Sequence, residues 1–255
     1  MIARERRDAI IRTLKEHRTV EVKSLSESFG VTEETIRRDL EKIEAMDLGI
    51  YRVHGGAYLQ KEFDKEVPIG LRENIILPEK RRIAAHCLEL IHRGDSVMLD
   101  CSTTARCVAS SIREAGLEVT VITNSLSISS TLADCDSVKL VCVGGTLRRS
   151  THSFVGYLAT RSLEQFHSDK AFVSCSALHL DFGITDYNES EAEIRRLMLR
   201  NADKRYLVAD HTKLGKCGVN QIGGFELIDA LIADCPLPED WSRFLQAQGL
   251  ELIGC

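Results

Sequence analysis

Residues 22–44 confine the N-terminal part of this chain to a narrow choice: two short helices joined by a single glycine turn. In 22-VKSLSESF-29, Val22, Leu25 and Phe29 recur at i, i+3 and i+7, which puts them on one stripe of a helix. Gly30 then turns the chain. Thr32 stands where an N-cap belongs, and Glu33 and Glu34 follow in the first turn, where carboxylates complement the helix dipole. Ile36, Leu40 and Ile43 give the second helix one apolar face, so Thr35, Arg37 and Arg38 point elsewhere in its first two turns. After Gly49, 51-YRVHGGA-57 reads as a ribbon with Arg52 and His54 beside a Gly55-Gly56 tip that permits close backbone approach.

A helical pair with a glycine turn is, alone, ordinary core packing, and an Arg-Arg pair on a helix is ordinarily a solvated face. Their conjunction with the ribbon points to a winged helix-turn-helix. In that arrangement the N-terminal part of the second helix reaches base edges in the major groove of DNA. The candidate DNA contacts are therefore Thr32, Glu33, Thr35, Arg37, Arg38, Arg52, His54, Gly55 and Gly56.

The net charge of −5 does not by itself favour nucleic acid. Residues 1–60 carry eleven Lys/Arg against eleven Asp/Glu, so this part is neutral and the acidity lies in the remainder. A neutral DNA-binding domain requires its charges to be segregated by face. No apolar run approaches the ~20 residues needed to cross a bilayer. The first residues, with Ile2, Ile10, Ile11 and Leu14, form an amphipathic pattern and not a signal peptide, so a cytosolic protein without membrane contact is expected. The nine cysteines are odd in number and include no C-x-x-C, and no histidine stands at metal-ligand spacing. Scattered buried thiols are expected, with no disulfide framework, metal or cofactor.

Residues 58–78 mix charges with two of the four prolines and show no sustained period, so a linker is expected there, following a DNA-binding domain over 1–57. Pro78 opens a helix over 79–92 whose buried stripe is Ile83, Cys87, Leu90 and Ile91. Short apolar strands then recur at 96–100, 119–123, 138–143, 170–174, 205–209 and 230–234, with helical patterns at 104–115, 156–166, 189–202 and 239–248. That alternation predicts a mostly parallel sheet with helices on both faces over 79–255.

In such sheets ligands bind outside the carboxyl ends of the strands, where helix N-termini point. The first strand ends at Asp100 and runs into Ser102, Thr103 and Thr104 at a helix start, a ready seat for an anion, although Ser and Thr also serve there as plain caps. The second strand ends at Asn124-Ser125, and the third in 144-GGTLR-148, with Gly145 and Arg148. The fourth ends in a polar loop holding Asp181, and the fifth in 210-DHTKLG-215, where Lys213 can hold an anion.

The run 31-VTEETIRRDLEKIE-44 followed by 52-RVHGGA-57 resembles the winged helix-turn-helix of the DeoR family of bacterial sugar-metabolism repressors. The resemblance continues to the end of the chain. The family's D-S-G-T-T, T-N-S and G-G-x-L-R motifs resemble Asp100 to Thr104, Thr123 to Ser125 and Gly144 to Arg148. Its E-A helix start and D-x-x-K-x-G resemble Glu191-Ala192 and Asp210 to Gly215. Where the family has Ser-Gly before the two threonines, this chain has Cys101-Ser102, a side chain at the tightest part of the anion loop.

The resemblance implies a C-terminal domain like the ribose-phosphate isomerase fold that senses a phosphorylated sugar or related anion. It implies an effector site of Asp100, Ser102, Thr103, Thr104, Asn124, Ser125, Gly145, Arg148, Asp181, Glu191 and Lys213, with Asp100 and Asn124 taking sugar hydroxyls. The implied partners are an operator on double-stranded DNA, a small-molecule effector, and further copies in a homodimer or homotetramer. A sugar-phosphate isomerase with an N-terminal appendage is the alternative. Asp100, Asp181, Glu191 and Lys213 are residue types that could move protons, but a winged helix has no place on a plain isomerase. A metabolite-binding protein that no longer binds DNA is a third reading.

Overall fold

The structure is a computed structural model and describes residues 2–17, 19–46, 48–53, 55–59, 69–73 and 76–254. The chain divides into two compact units, residues 1–77 and 78–255.

In the first unit, α1 (Ala3–His17) and β1 (Thr19–Glu21) precede α2 (Val22–Phe29) and α3 (Glu33–Glu44). Gly30 takes φ 63°, ψ 37°, the left-handed C-cap that an L side chain adopts only with strain, and its N–H closes on Glu27 O. Thr32 caps α3 by accepting the Thr35 N–H. Strands β2 (Ile50–Val53) and β3 (Gly56–Leu59) form the wing hairpin, and β1 pairs with β3 to give the order β1-β3-β2. Ile10, Leu14, Val22, Leu25, Ile36, Leu40, Ile43 and Ile50 make one core. Strand β3 carries the wing two residues beyond 57. Within the expected linker, 60–68, 74 and 75 lie outside the described residues, and the short α4 (Ile69–Arg72) stands between them.

The second unit opens with α5 (Leu77–Leu90), which starts earlier and ends sooner than its sequence pattern suggested. Ile83, Ala84 and Cys87 are buried on it, and Leu90 is only partly so. The following elements are β4 (Ser96–Leu99), α6 (Thr103–Ala115), β5 (Val119–Thr123), α7 (Leu126–Leu132), β6 (Val138–Cys142), β7 (Thr146–Arg148) and β8 (Ser153–Val155). Then come α8 (Tyr157–Leu163), β9 (Ser168–Val173), β10 (Ala177–His179), β11 (Gly183–Asp186), α9 (Glu189–Arg200) and β12 (Ala202–Ala209). A 3-10 turn (His211–Lys213) leads to β13 (Asn220–Gly223), a second such turn (Phe225–Leu227), β14 (Ala230–Ala233), α10 (Glu239–Ala247) and β15 (Glu251–Ile253).

Seven strands form a wholly parallel sheet in the order β15-β14-β12-β9-β4-β5-β6. Alternate side chains fill two cores. Met98, Ile122, Ala171, Val173 and Leu207 pack with buried residues of α8, α9 and α10. Val97, Leu99, Val121, Phe172 and Val208 pack with those of α5, α6 and α7. The chain lays β4 first, adds β5 and β6 on one side, then returns to place β9 on the other. The direction of winding thus reverses between β4 and β9, the position at which doubly wound sheets open a ligand crevice.

Three pieces depart from the expected pattern. Residues 174–186, expected as a polar loop, contain the antiparallel hairpin β10–β11, joined by β13, because Ala177, Leu178 and Ile184 are apolar and buried. Residues 146–155 form a second hairpin, β7–β8. Strand β15 adds a seventh strand to the six expected. Among the described residues no helix is long and apolar enough to cross a membrane.

Candidate functional site

Helix α3 carries the first group of candidates. Ile36, Leu40 and Ile43 are buried, and Arg37 and Arg38 stand on the open side with side chains 53% and 73% exposed. Each is held one helical turn back: Arg37 by Glu33 at 2.7 Å and Arg38 by Glu34 at 3.2 Å. Exposed pairs of this spacing contribute only about 0.3–0.5 kcal/mol, so both guanidiniums are readily released to another anion. Thr35 bonds the Thr32 hydroxyl and sits at the same end.

On the wing, Glu44 of α3 accepts both the Arg52 N–H and its Nε, each at 2.8 Å. That backbone hydrogen bond holds the Glu44 carboxyl below its ordinary value. Gly55 at the tip has φ 92°, and its carbonyl accepts the N–H of Val22, tying the wing to α2. Gly56 pairs with Glu21. His54 lies outside the described residues.

Sequence reasoning overlooked Asp39. It is buried on α3 and accepts Arg6 Nε at 2.6 Å, with Arg7 at 3.4 Å, locking α1 to α3. Its place one turn from Ile36 and Ile43 was the available signal.

In the second unit the carboxyl ends of the parallel strands deliver most of the remaining candidates to one rim of the sheet. Asp100 is fully buried and both its oxygens are engaged: Oδ1 accepts the N–H and hydroxyl of Ser102, and Oδ2 accepts Arg195 Nε at 2.7 Å. Arg195 also bonds the buried Asp186. Burial opposes the charge on Arg195, but these two carboxylates overcome it and hold the guanidinium well above its ordinary value. One turn back on α9, Glu191 accepts Thr151 Oγ1 at 2.8 Å, Ser153 Oγ at 2.5 Å and the Cys101 thiol at 3.0 Å. Burial pushes the Glu191 carboxyl up, yet Arg195 and these donors leave it below its ordinary value. Arg148 lies 3.8 Å from Glu191 and donates to Thr151.

Asp100 and Glu191 are thus acceptors for the protein's own groups. Arg195, Asp186, Thr151 and Ser153, which organise them, were missed from sequence. A Glu and an Arg four residues apart on a helix read as a surface pair, and only the fold shows them buried.

Other groups remain open. Ser102, and neither threonine, caps α6 by accepting the Ala105 N–H, with φ −70°. The loop therefore needs no glycine at this position. Cys101 points inward, where burial raises its thiol well above the ordinary range. The hydroxyls of Thr103 and Thr104 make no hydrogen bond among the described residues, and their N–H groups are the unpaired donors of the first helical turn. Ser125 caps α7 in the same way. Asn124 is fully buried. Its Nδ2 donates to Phe154 O at 2.9 Å, while its Oδ1 has no hydrogen-bond partner among the described residues.

Gly145 approaches β8 and α8 so closely that a Cβ would lie 2.9 Å from Val155 O and 3.0 Å from the Ala159 Cβ. Lys213 is half-buried and has no ion-pair partner among the described residues. Its positive charge acts on the buried Cys175 thiol, just past the end of β9, whose value burial raises to about 12. Asp181 stands apart, 86% exposed at the tip of the β10–β11 hairpin and beside His179.

The cysteines are all free thiols among the described residues, but not all are buried: Cys142 and Cys217 are exposed. One grouping is invisible in the sequence spacing. His211, Asp234 and Cys235 gather their ligand atoms within 4.8 Å, because the parallel pairing of Ala209 with Ala233 brings these distant residues side by side.

Comparison with known proteins agrees with this two-part architecture. The DeoR-like helix-turn-helix domain family matches residues 6–63, and the DeoR C-terminal sensor domain family matches residues 77–235. The HTH-type transcriptional regulator YulB of Bacillus subtilis is 35% identical over 237 residues, covering 93% of this chain and 91% of its own. The putative aga operon transcriptional repressor of Escherichia coli O157:H7 is 33% identical over 251 residues, 98% of this chain and 93% of its own. The glycerol-3-phosphate regulon repressor of Escherichia coli K12 is 28% identical over 251 residues, 98% of each chain. Ribose 5-phosphate isomerase A of Methanocaldococcus jannaschii overlaps 54% of each chain with a TM-score of 0.39 and 17% identity. With both domain families matched in order, and relatives aligned along nearly the whole sequence, the chain belongs to the DeoR family of DNA-binding transcriptional regulators.

Proposed function

We propose that this protein represses a carbohydrate-utilisation operon and that a phosphorylated sugar or related anionic metabolite controls its grip on the operator. The observation that carries the reading is the set of open donors at the strand ends. The N–H groups and hydroxyls of Thr103 and Thr104 stand at the positive end of α6, and Lys213, without an ion-pair partner among the described residues, follows β12 on the same rim. The phosphate sits on the start of α6, with Lys213 adding charge. Asn124 Oδ1, buried without a donor, accepts a sugar hydroxyl. Asp100 and Glu191 do not bind the ligand directly; they fix the loops that do. For the metabolite to act as a switch it must bind the DNA-competent and incompetent conformations unequally.

Arg37 and Arg38 read the operator, one at a base edge and the other at phosphate, with Arg52 and the Gly55-Gly56 tip at the backbone. Two copies bind together, because half-sites about one helical turn apart, ~34–36 Å, mirror a two-fold. The protein acts in the cytoplasm and is not an isomerase. The two buried carboxylates are taken up by Arg195, Ser102, Thr151, Ser153 and Cys101, and Asp181 is at an exposed tip.

The test measures binding to DNA from upstream of the protein's own gene, by fluorescence anisotropy, across a panel of pentose, hexose and triose phosphates. One class should change the apparent Kd without being converted. Turnover of a sugar phosphate, or no specific DNA binding with any of them, overturns the reading. A monomer by light scattering, with and without DNA, overturns the paired arrangement.

A further inference from the structure

Strands β12 and β14 run parallel with Ala209 beside Ala233, so Asp210-His211 and Asp234-Cys235 leave the sheet together. Asp234 is the buried base of this group, its side chain 1% exposed. Its Oδ1 accepts the His211 N–H and its Oδ2 lies beside the His211 Nδ1, both at 2.7 Å. The His211 side chain is 49% exposed, Cys235 is half-buried, and a ligand atom from each of the three lies within 4.8 Å of the others. The result is a buried carboxylate with an imidazole and a thiol at its rim. On the inner side, Arg82 donates to the Asp234 carbonyl at 3.3 Å and is paired with Glu79 at 3.5 Å, so its charge is partly met.

We propose that His211, Asp234 and Cys235 bind a divalent transition metal of the zinc class, with the fourth position open to water or a ligand. The donor set decides the class. Calcium and magnesium take oxygen ligands, whereas one nitrogen, one oxygen and one sulfur suit a borderline-soft ion. Zinc holds nitrogen and oxygen at about 2.0–2.2 Å in a tetrahedron, which separates two ligand atoms by about 3.3–3.5 Å. The His211–Asp234 contact must therefore open by several tenths of an ångström. His211 sits in a short 3-10 turn with half its side chain open to solvent, so the adjustment does not disturb the core. The metal displaces the thiol proton of Cys235, which passes to solvent, and takes His211 Nδ1, whose proton moves to Nε2 or, from an imidazolium, to solvent; it then cross-links the ends of β12 and β14. Lys213 lies two residues beyond His211, so occupancy would set the position of the loop that carries it.

The experiment uses the full-length, untagged, metal-free chain and titrates it with Co2+, read by absorbance. The expected result is one cobalt per chain, with tetrahedral visible bands and a thiolate-to-cobalt charge-transfer band in the near ultraviolet, both bleached by Zn2+. Cys235→Ser should abolish the charge-transfer band, and His211→Gln should weaken binding by at least about tenfold. Cys142→Ser and Cys217→Ser, at exposed thiols elsewhere, should change neither. Should Cys235→Ser not fold, Cys235→Ala gives the same reading. No band at large cobalt excess, a band that survives loss of Cys235, or one that disappears with Cys142 or Cys217 overturns the site.

Discussion

Arg195 Nε meets Asp100 Oδ2 at 2.7 Å across 95 positions of sequence, both side chains shut away from solvent. The same guanidinium bonds Asp186, so one cation serves two buried carboxylates from different strand ends. Taking away one partner of a buried pair leaves uncompensated charge, which costs about 3–5 kcal/mol. Arg195→Met should lower the stability of the sensor unit by that amount in urea denaturation. An unchanged midpoint would deny Arg195 its organising role.

Arg37→Ala and Arg38→Ala should each weaken operator binding without lowering the melting temperature, since both are exposed and held only by intrahelical pairs. A lost base contact costs ~1–3 kcal/mol for the native sequence alone. A lost phosphate contact weakens all sequences and reduces the salt slope by about one. Anisotropy titrations on native and scrambled operators, at several salt concentrations, separate the two. Wild-type affinity in both variants would remove α3 from the DNA.

The cap of α6 belongs to Ser102, while Thr103 and Thr104 hold open donors. Ser102→Ala should therefore cost about 1 kcal/mol of stability, the usual value of a lost cap. Thr103→Ala and Lys213→Ala should leave stability nearly intact and weaken the effector about ten- to a hundred-fold, as charge-assisted bonds of roughly 1.5–3 kcal/mol require. Melting curves and effector-induced changes in operator binding, measured on the same three variants, supply the test. Stability lost at Thr103 with the response intact would return that residue to plain capping.

Asp229 gives a pH signature remote from both candidate sites. Its carboxylate accepts Arg205 Nη2 at 2.7 Å and the Arg205 N–H at 2.8 Å, and the side-chain bond to Arg205 lowers its value below the ordinary one. A carboxyl lowered in the folded state adds stability above its unfolded value, about 3.9, and that contribution disappears as pH falls through the folded value. Asp229→Asn should therefore be less stable than wild type at neutral pH, and the two should converge in acid. Parallel melting curves at every pH would exclude the linkage.

Local rules made much of this molecule legible. The α2–α3 pair was readable because Gly30, Thr32 and two apolar stripes agree on the same boundaries. Most of the parallel sheet was readable because its inner strands are largely buried on both faces and stand out as apolar runs, whereas the exposed edge strand β15 does not. The β10–β11 hairpin was not, since 174-SCSALHLDFGITD-186 mixes polar and apolar residues, and only its packing buries Leu178 and Ile184. The same limit applies to the strand ends. Sequence motifs bring Asp100, Asn124 and Lys213 to one rim, but they do not reveal that Asp100 is already taken by Arg195, or that β12 sets His211 beside Cys235.

The reversal of winding between β4 and β9 gives the sheet a seam, joined by the pairing of Val97 to Leu99 with Lys170 to Phe172. Thr103 follows the first strand on one side of it and Lys213 follows a strand on the other. A molecule gripped by both is a clasp across the seam, and a clasp that fits only the folded sheet raises its stability by about 2.7 kcal/mol at a hundred times its Kd. The melting temperature of the sensor unit thereby becomes a reporter for the effector, usable before any operator sequence is known.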